Sequence, residues 1–210
     1  MDLKNVREEY NQEALSEENI LKNPIEQFKQ WFQQAVDEKI SYVTSTVLTT
    51  SGLDGYPHSR IVLIKEITDK GPIFFTNYDS LKGQEIAANP QVSMLIYWKE
   101  FDRQIRLTGI ASKISRQASE EYFQSRSKGS QLSALASPQS QMVTKKELDQ
   151  MRLDIQEKYP DENYPTPKNW GGYLIEMNSI EFWQGRPNRF HDRLKFIFDD
   201  GLWVLQRLAP

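Results

Sequence analysis

The chain contains no cysteine and only two histidines, His58 and His191. The first absence excludes disulfides, thiolate catalysis, iron–sulfur clusters and cysteine-held zinc. The second excludes a histidine-rich metal centre, and no metal ligand is assigned. An excess of positive charge is missing too: 26 Lys and Arg stand against 29 Asp and Glu, for a net charge of −3. Bulk electrostatic binding to nucleic acid is therefore not expected, whereas a local basic pocket for a small anion is compatible with this balance. No run approaches the ~18 apolar residues of a membrane span. The N-terminus MDLKNVREEYNQEALSEEN lacks the apolar stretch of a secretory signal, so the expected compartment is the cytoplasm, with no membrane partner. Neither glycine-rich phosphate loop, GxGxxG or GxxxxGK[ST], occurs, and no GxSxG elbow occurs. Any anion recognition must come from Arg, Lys and hydroxyl side chains.

What is present reads as one soluble globular domain: 210 residues, 38% hydrophobic and 26% charged. Residues 1–22 are charged and aperiodic and read as an N-terminal arm, mobile on composition; residues 23–210 read as a single domain. Asn23-Pro24-Ile25-Glu26 signals a helix start, followed at helical spacing by Ile25, Phe28, Trp31, Phe32, Ala35 and Val36. Strands are expected at Val43–Thr50, His58–Ile67 and Pro72–Thr76, with turns at Asp54-Gly55 and Lys70-Gly71. A short helix at Leu81–Ala88 precedes strands at Val92–Trp98 and Gln104–Ser115. Helices follow at Arg116–Ser127 and Thr144–Lys158, separated by a serine-rich polar loop, then strands at Tyr173–Trp183, Arg189–Phe198 and Leu202–Leu208. Short strands joined by hairpin turns predict a mainly β fold, an antiparallel sheet closed into a barrel with peripheral α-helices.

Four groups of residues are candidates for chemistry. Arg189, His191 and Arg193 alternate, so a strand would send all three from one face. That face is either solvated and paired with acids such as Asp192, or built for something anionic or aromatic. Arg60 and Lys65 end an apolar run with opposite parity, so they face opposite sides unless a bulge intervenes. Tyr122 and Arg126 share a helix face, with Ser130 just beyond; a phenol, a guanidinium and a hydroxyl suit a phosphate monoester, or simply form a helix rim. Thr76, Lys82, Gln104, Gln139 and Ser140 are donors near strand ends, uninformative one by one.

Taken in order, RIVLIK, FFTN, SLKGQEI, RQIR, YFQSR, SPQSQ, WGGY and EFWQG, with the segment Glu181 to Arg193, resemble the pyridoxamine (pyridoxine) 5′-phosphate oxidases. The resemblance covers nearly the whole chain. It implies an FMN-binding split β-barrel, antiparallel and Greek-key-like, working as a homodimer with the flavin at the subunit interface. It implies conversion of pyridoxamine or pyridoxine 5′-phosphate to pyridoxal 5′-phosphate, with dioxygen reduced to hydrogen peroxide. By resemblance, FMN contacts Arg60, Ile61, Val62, Leu63, Ile64, Lys65, Phe75, Thr76, Lys82, Gln104, Gln139, Ser140, Trp183 and Arg193. Lys65, Tyr122, Arg126 and Ser130 hold the substrate phosphate, Arg189 and His191 lie against its ring as the catalytic pair, and an arm bearing Arg7 and Tyr10 folds over it. Three positions depart from the pattern: Leu81, often Arg in the family; Phe190, usually aliphatic or small and expected on the strand face opposite Arg189 and His191; and Ser133-Ala134-Leu135, often Gly-Ala-Trp. Two alternatives share the resemblance: an FMN oxidase of this fold with a phenazine-type substrate, and a flavin- or heme-binding protein without turnover.

Overall fold

Six antiparallel strands close into a barrel in the computed structural model, which describes residues 1, 9, 10 and 12–210. Arg7 lies outside the described residues. The strands are β1 (Ser45–Ser51), β2 (Pro57–Ile67), β3 (Pro72–Asn77), β4 (Gln91–Trp98), β5 (Arg103–Lys113) and β6 (Trp170–Gln184). They pair in the order β3-β2-β1-β4-β5-β6, and β3 returns to β6 to complete the ring. The return of β4 to the side of β1, after two hairpins, is a Greek key. The expected mainly β, split-barrel architecture is the one observed.

The 15-residue β6 does two jobs. Its first part, Trp170–Leu174, pairs with β3 and closes the barrel; its last part, Ser179–Gln184, pairs with β7 (Asp192–Asp199). β7 continues by a hairpin into β8 (Leu202–Arg207). Alternation explains the interior: in β1, Thr46, Leu48 and Thr50 are buried while their neighbours are not. Leu48, Phe74, Ile105, Ile175, Phe182 and Phe196 form the middle of the core.

Five α-helices surround the barrel. α1 (Pro24–Asp37) starts where expected: the Asn23 side chain accepts from the Ile25 N–H at 2.9 Å, and Ile25, Phe28, Trp31 and Ala35 are buried. Trp31 meets Phe182 edge-on at 5.2 Å. Val36, expected on that face, is half exposed, because the helix ends at the barrel rim. α2 (Leu81–Ala88) packs on β1. α3 (Arg116–Ser125), α4 (Lys128–Ala136) and α5 (Lys145–Lys158) cover a second cluster made by Phe123, Leu132, Tyr164 and Trp170.

Three expectations are corrected. The serine-rich loop contains α4: Ser127 caps it by accepting from the Ser130 N–H, and Gln131, Leu132 and Ala136 are its buried face. Serines are poor helix formers, so the pattern is weak and tertiary burial decides. Residues 12–22 are not loose, since Leu15 and Ile20 are in the core and Glu17 pairs with Arg207 at 2.6 Å. The segment read as a strand from Arg189 begins only at Asp192; Pro187–Arg189 is a 3-10 turn with Asn188 and Arg189 at positive φ. No helix among the described residues is long and apolar enough to cross a membrane.

Candidate functional site

A cavity of about 800 Å³ opens between β2, β3, α2 and the α3–α4 pair. Among the described residues four cations line it, Arg60, Lys65, Lys82 and Arg126, and no carboxylate does. On a chain of net charge −3, such a cleft focuses a positive field where the rest of the surface does not.

The parity argument about Arg60 and Lys65 is resolved by strand pairing. β2 pairs with β1 over Pro57–Leu63, but with β3 only at Ile64–Ile67, and a bulge falls between Ile64 and Glu66. Residues 60–63 thus meet the cavity with an unpaired edge, not with one face. An edge brings both parities to the same space, so Arg60, Ile61, Val62, Leu63 and Lys65 all line it. Ile64 does not: its side chain is buried in the barrel core.

Phe75 and Thr76 reach the cavity from β3, and Lys82 from the first turn of α2. The Lys82 ammonium donates to Thr76 Oγ1 at 3.2 Å and to Ser80 Oγ at 3.3 Å. Thr76 Oγ1 in turn donates to Gln139 Oε1 at 3.3 Å. Burial, then the Arg60 charge, pushes the Lys82 ammonium down to about 8, while the charge of Glu85 opposes the shift. Ser140 follows Gln139 at the rim. Leu81, beside Lys82, lines the mouth and is exposed.

The far wall is aromatic. Phe75 stacks on Tyr122 at 3.9 Å, and Tyr122 lies parallel to Trp170, 9° between planes. The Arg126 guanidinium sits 4.8 Å from the Trp170 ring centre. Arg126 Nη1 is buried and has no hydrogen-bond partner among the described residues. Burial pushes the Arg126 guanidinium down, and at neutral pH it stays charged. An unpartnered buried donor on a cation is costly unless a ligand supplies the acceptor. Ser130 lies close by in the first turn of α4, its Oγ accepting from Ser127 Oγ at 2.9 Å. The trio Tyr122, Arg126 and Ser130, spaced only by sequence pattern beforehand, lines the same cavity as Lys65.

The remaining candidates form a second group elsewhere. Gln104, Trp183 and Arg193 are directly paired positions on β5, β6 and β7, so their side chains stand in one row on one face. Glu181 Oε1 accepts from Arg193 Nε at 2.8 Å and holds it along the sheet. His191 packs against Trp183, ring centres 4.7 Å apart, and Tyr10 meets both rings edge-on. That close approach needs Gly185, where a Cβ would stand 2.8 Å from the Tyr10 ring. The Arg186 N–H donates to His191 Nδ1 at 3.1 Å, which leaves the ring proton on Nε2. Burial, then the Arg189 charge, pushes His191 below its ordinary value, so it is a neutral donor at pH 7. Arg189 is exposed beside it at φ 60, a conformation a large side chain adopts only when its surroundings impose it. The alternation of Arg189, His191 and Arg193 therefore does not act through a strand face; the turn presents the first two and β7 the third. Phe190, expected to pack on the opposite side of that strand, is exposed instead.

β6 carries the two groups at its opposite ends. Trp170 lines the cavity and Trp183 belongs to the row, 13 residues later on the same strand; at about 3.3 Å per residue that is roughly 40 Å. Both groups nonetheless flank one outer sheet face, along which Ile61, Leu63, Tyr97 and Ile110 are exposed. No apolar stripe is visible in the sequence, because each strand contributes only one or two of these residues. The sequence reading also assigned no role to Asn77, Trp170, Ser127 or Ser137, which line the cavity. Trp170, Asn77 and Ser137 had a signal in the WGGY, FFTN and SPQSQ motifs; Ser127 had none.

The chain was compared with known proteins. A family model described as pyridoxamine 5′-phosphate oxidase matches residues 32–159, and one described as the pyridoxine 5′-phosphate oxidase C-terminal dimerisation region matches residues 170–210. A pyridoxine/pyridoxamine 5′-phosphate oxidase of Cyanothece sp. is 43% identical over 211 residues, covering 100% of this chain and 99% of its own. A protein of the same name from Salinibacter ruber is 41% identical, covering 99% of each. Among solved structures, PhzG from Burkholderia lata, in complex with tetrahydrophenazine-1-carboxylic acid, superposes with a TM-score of 0.88 at 27% identity, covering 95% of this chain and 99% of that one. An FMN-binding protein from Nostoc punctiforme, at 18% identity and TM-score 0.71, shares the fold.

Proposed function

We propose, from the premise that this chain belongs to the pyridoxamine 5′-phosphate oxidase family, that it oxidises pyridoxamine or pyridoxine 5′-phosphate to pyridoxal 5′-phosphate with bound FMN. The observation that carries the substrate class is the buried Arg126 Nη1, unpartnered among the described residues, in a cavity that Tyr122, Ser130 and Lys65 also line. A phosphate monoester offers three acceptor oxygens to the whole set, whereas the one carboxylate of a phenazine acid offers two, enough for Arg126 alone. The flavin reading is supported by the cavity's size, its four cations and the open edge of β2.

FMN would be held by Arg60 and Lys82 at its phosphate, by the backbone edge of residues 60–65 with the side chains of Ile61, Val62, Leu63 and Lys65, and by Phe75, Thr76, Gln139 and Ser140. FMN bound there would supply the hydride acceptor, N5, for the substrate C4′, with dioxygen as the final acceptor giving hydrogen peroxide; the alcohol yields the aldehyde directly, and the amine yields an imine that water hydrolyses with release of ammonia. The chain's own residues bind and orient. Arg126, Lys65, Tyr122 and Ser130 grip the substrate phosphate, and that remote binding energy holds C4′ in place for transfer. Arg189 covers the substrate ring, and His191, a neutral donor through Nε2, hydrogen-bonds its polar edge. Tyr10 closes over the same turn. These last residues, with Gln104, Trp183 and Arg193, would come from a second copy across the exposed sheet face, in a homodimer with two composite sites.

The test is anaerobic mixing of the FMN-loaded protein with pyridoxamine 5′-phosphate. Loss of the flavin band near ~450 nm, restored by air with pyridoxal 5′-phosphate formed, is the expected result. A flavin that stays oxidised with this substrate and bleaches with a phenazine precursor would move the chain to that substrate class.

Lys82 predicts a pH dependence for flavin binding. The bound phosphate favours the ammonium, so its pKa rises in the complex and, above about 8, binding must take up a proton. FMN affinity is expected to be level from pH 7 to 8, then to fall by up to about tenfold per pH unit. Flavin-fluorescence titrations of the apoprotein measure it, and Lys82→Met should weaken binding and flatten the profile.

A further inference from the structure

Glu85 on α2 is fully buried, yet it does not line the cavity. Its Oε2 accepts from Arg60 Nη2 at 2.9 Å and from Thr50 Oγ1 at 2.5 Å. Its Oε1 is bonded to His58 Nδ1, and His58 Nε2 lies 3.3 Å from Asp54 Oδ2 on the β1–β2 turn. Arg60 Nη1 donates to Thr50 Oγ1 and to the Leu48 carbonyl. Residues from β1, β2 and α2 thus converge on one end of one guanidinium.

A buried ion pair is poor value as a source of stability, because desolvation offsets most of its attraction. It is effective at fixing direction. A guanidinium has five N–H donors in a rigid fork, and three of those of Arg60 are taken by Glu85, Thr50 and Leu48. Among the described residues Nε and one hydrogen of Nη2 are left, and with Glu85 and Thr50 gathered at the Nη1–Nη2 end the Nε side is the edge that can receive two oxygens of a phosphate. Hydrogen bonds from Thr50, His58 and Arg60 hold the Glu85 carboxyl below its ordinary value against the effect of burial, so the anchor is charged.

We propose that Glu85, braced by His58, is a positioning residue that turns the open edge of Arg60 into the cavity to receive the phosphate of the flavin nucleotide. The inference rests on reading the cavity as the FMN site. Arg60 is then a preset receptor, not a flexible cation that must be ordered on binding. With Leu81 at the cavity mouth offering no charge, the aim of Arg60 carries a larger share of phosphate recognition.

The experiment measures FMN and riboflavin affinities of the apoprotein by fluorescence, for wild type, Glu85→Ala, Glu85→Gln, Arg60→Ala and the Arg60→Ala/Glu85→Ala double variant. Glu85→Ala should weaken FMN binding by about 10-fold or more and leave riboflavin, which has no phosphate, nearly unchanged. Glu85→Gln keeps an acceptor for Arg60 and a donor for His58, so it should stay close to wild type. The double variant should bind FMN no worse than Arg60→Ala alone, since Glu85 acts through Arg60. Equal losses for FMN and riboflavin, or additive losses in the double variant, overturn the inference in favour of a purely structural pair. If Arg60→Ala weakens FMN and Glu85→Ala does not, the positioning role falls while the flavin reading stands; if Arg60→Ala changes nothing, both fall. Should Glu85→Ala fail to fold, Thr50→Val decides: a several-fold loss for FMN alone supports the inference, and unchanged FMN affinity overturns it.

Discussion

Arg126→Met should raise the KM for pyridoxamine 5′-phosphate by about 100-fold, equivalent to roughly 2.7 kcal/mol, while leaving FMN affinity within about threefold of wild type. The variant keeps the length and packing of the side chain and removes the fork. Stability gives the contrasting readout. A buried guanidinium nitrogen without a partner is a liability in the empty protein, so removing it should leave Tm unchanged or higher. Part of that gain is offset by the lost stacking on Trp170, where the cation sits 4.8 Å from the ring centre. Steady-state kinetics and a thermal melt on one preparation check both halves. A KM close to wild type would remove Arg126 from the substrate phosphate, and with it the main reason for preferring a phosphorylated substrate.

The second large effect is complementation between two impaired variants, assayed at substrate concentrations well below KM. Arg126→Met damages the cavity group, and Arg189→Ala damages the turn group, for which a loss of about 100-fold in kcat/KM is expected. If each site combines the cavity of one copy with the turn of the other, a heterodimer of the two variants has one site with both defects and one with neither. Purified through two different tags, it should show about half of wild-type activity, against a few per cent or less for either homodimer. Sites built within one protomer would leave no intact site, and the heterodimer would be as inactive as its parents. The separation of Trp170 and Trp183 along β6 is the structural ground for expecting the first outcome.

Much of this architecture was legible because it rests on short-range chemistry. The Asp54-Gly55 turn, with Gly55 at φ 87, and the alternation of β1 are local patterns that one strand can specify. So is the start of α1, where Asn23 caps and Pro24 needs no donor. What was misread depends on partners far away in the chain. α4 looks like a polar loop until Gln131, Leu132 and Ala136 find the cluster around Trp170. Arg189 looks like a strand residue because alternation is blind to the Pro187 turn that breaks it.

The sequence by itself determined the kinds of donor available, the absence of thiol and of a glycine-rich loop, the barrel-forming strands and, through its ordered motifs, the family. Tertiary structure alone decided how those donors are grouped. Closure of β3 on β6 leaves an edge of β2 open, so Arg60 and Lys65 meet despite opposite parity. The length of β6 carries Trp183, and with it Arg193 and His191, away from that cavity. The physical reason is one of range. Local patterns fix φ, ψ and the face of a side chain, but the placement of faces relative to one another depends on strand pairing between residues distant in sequence, and no local pattern encodes it.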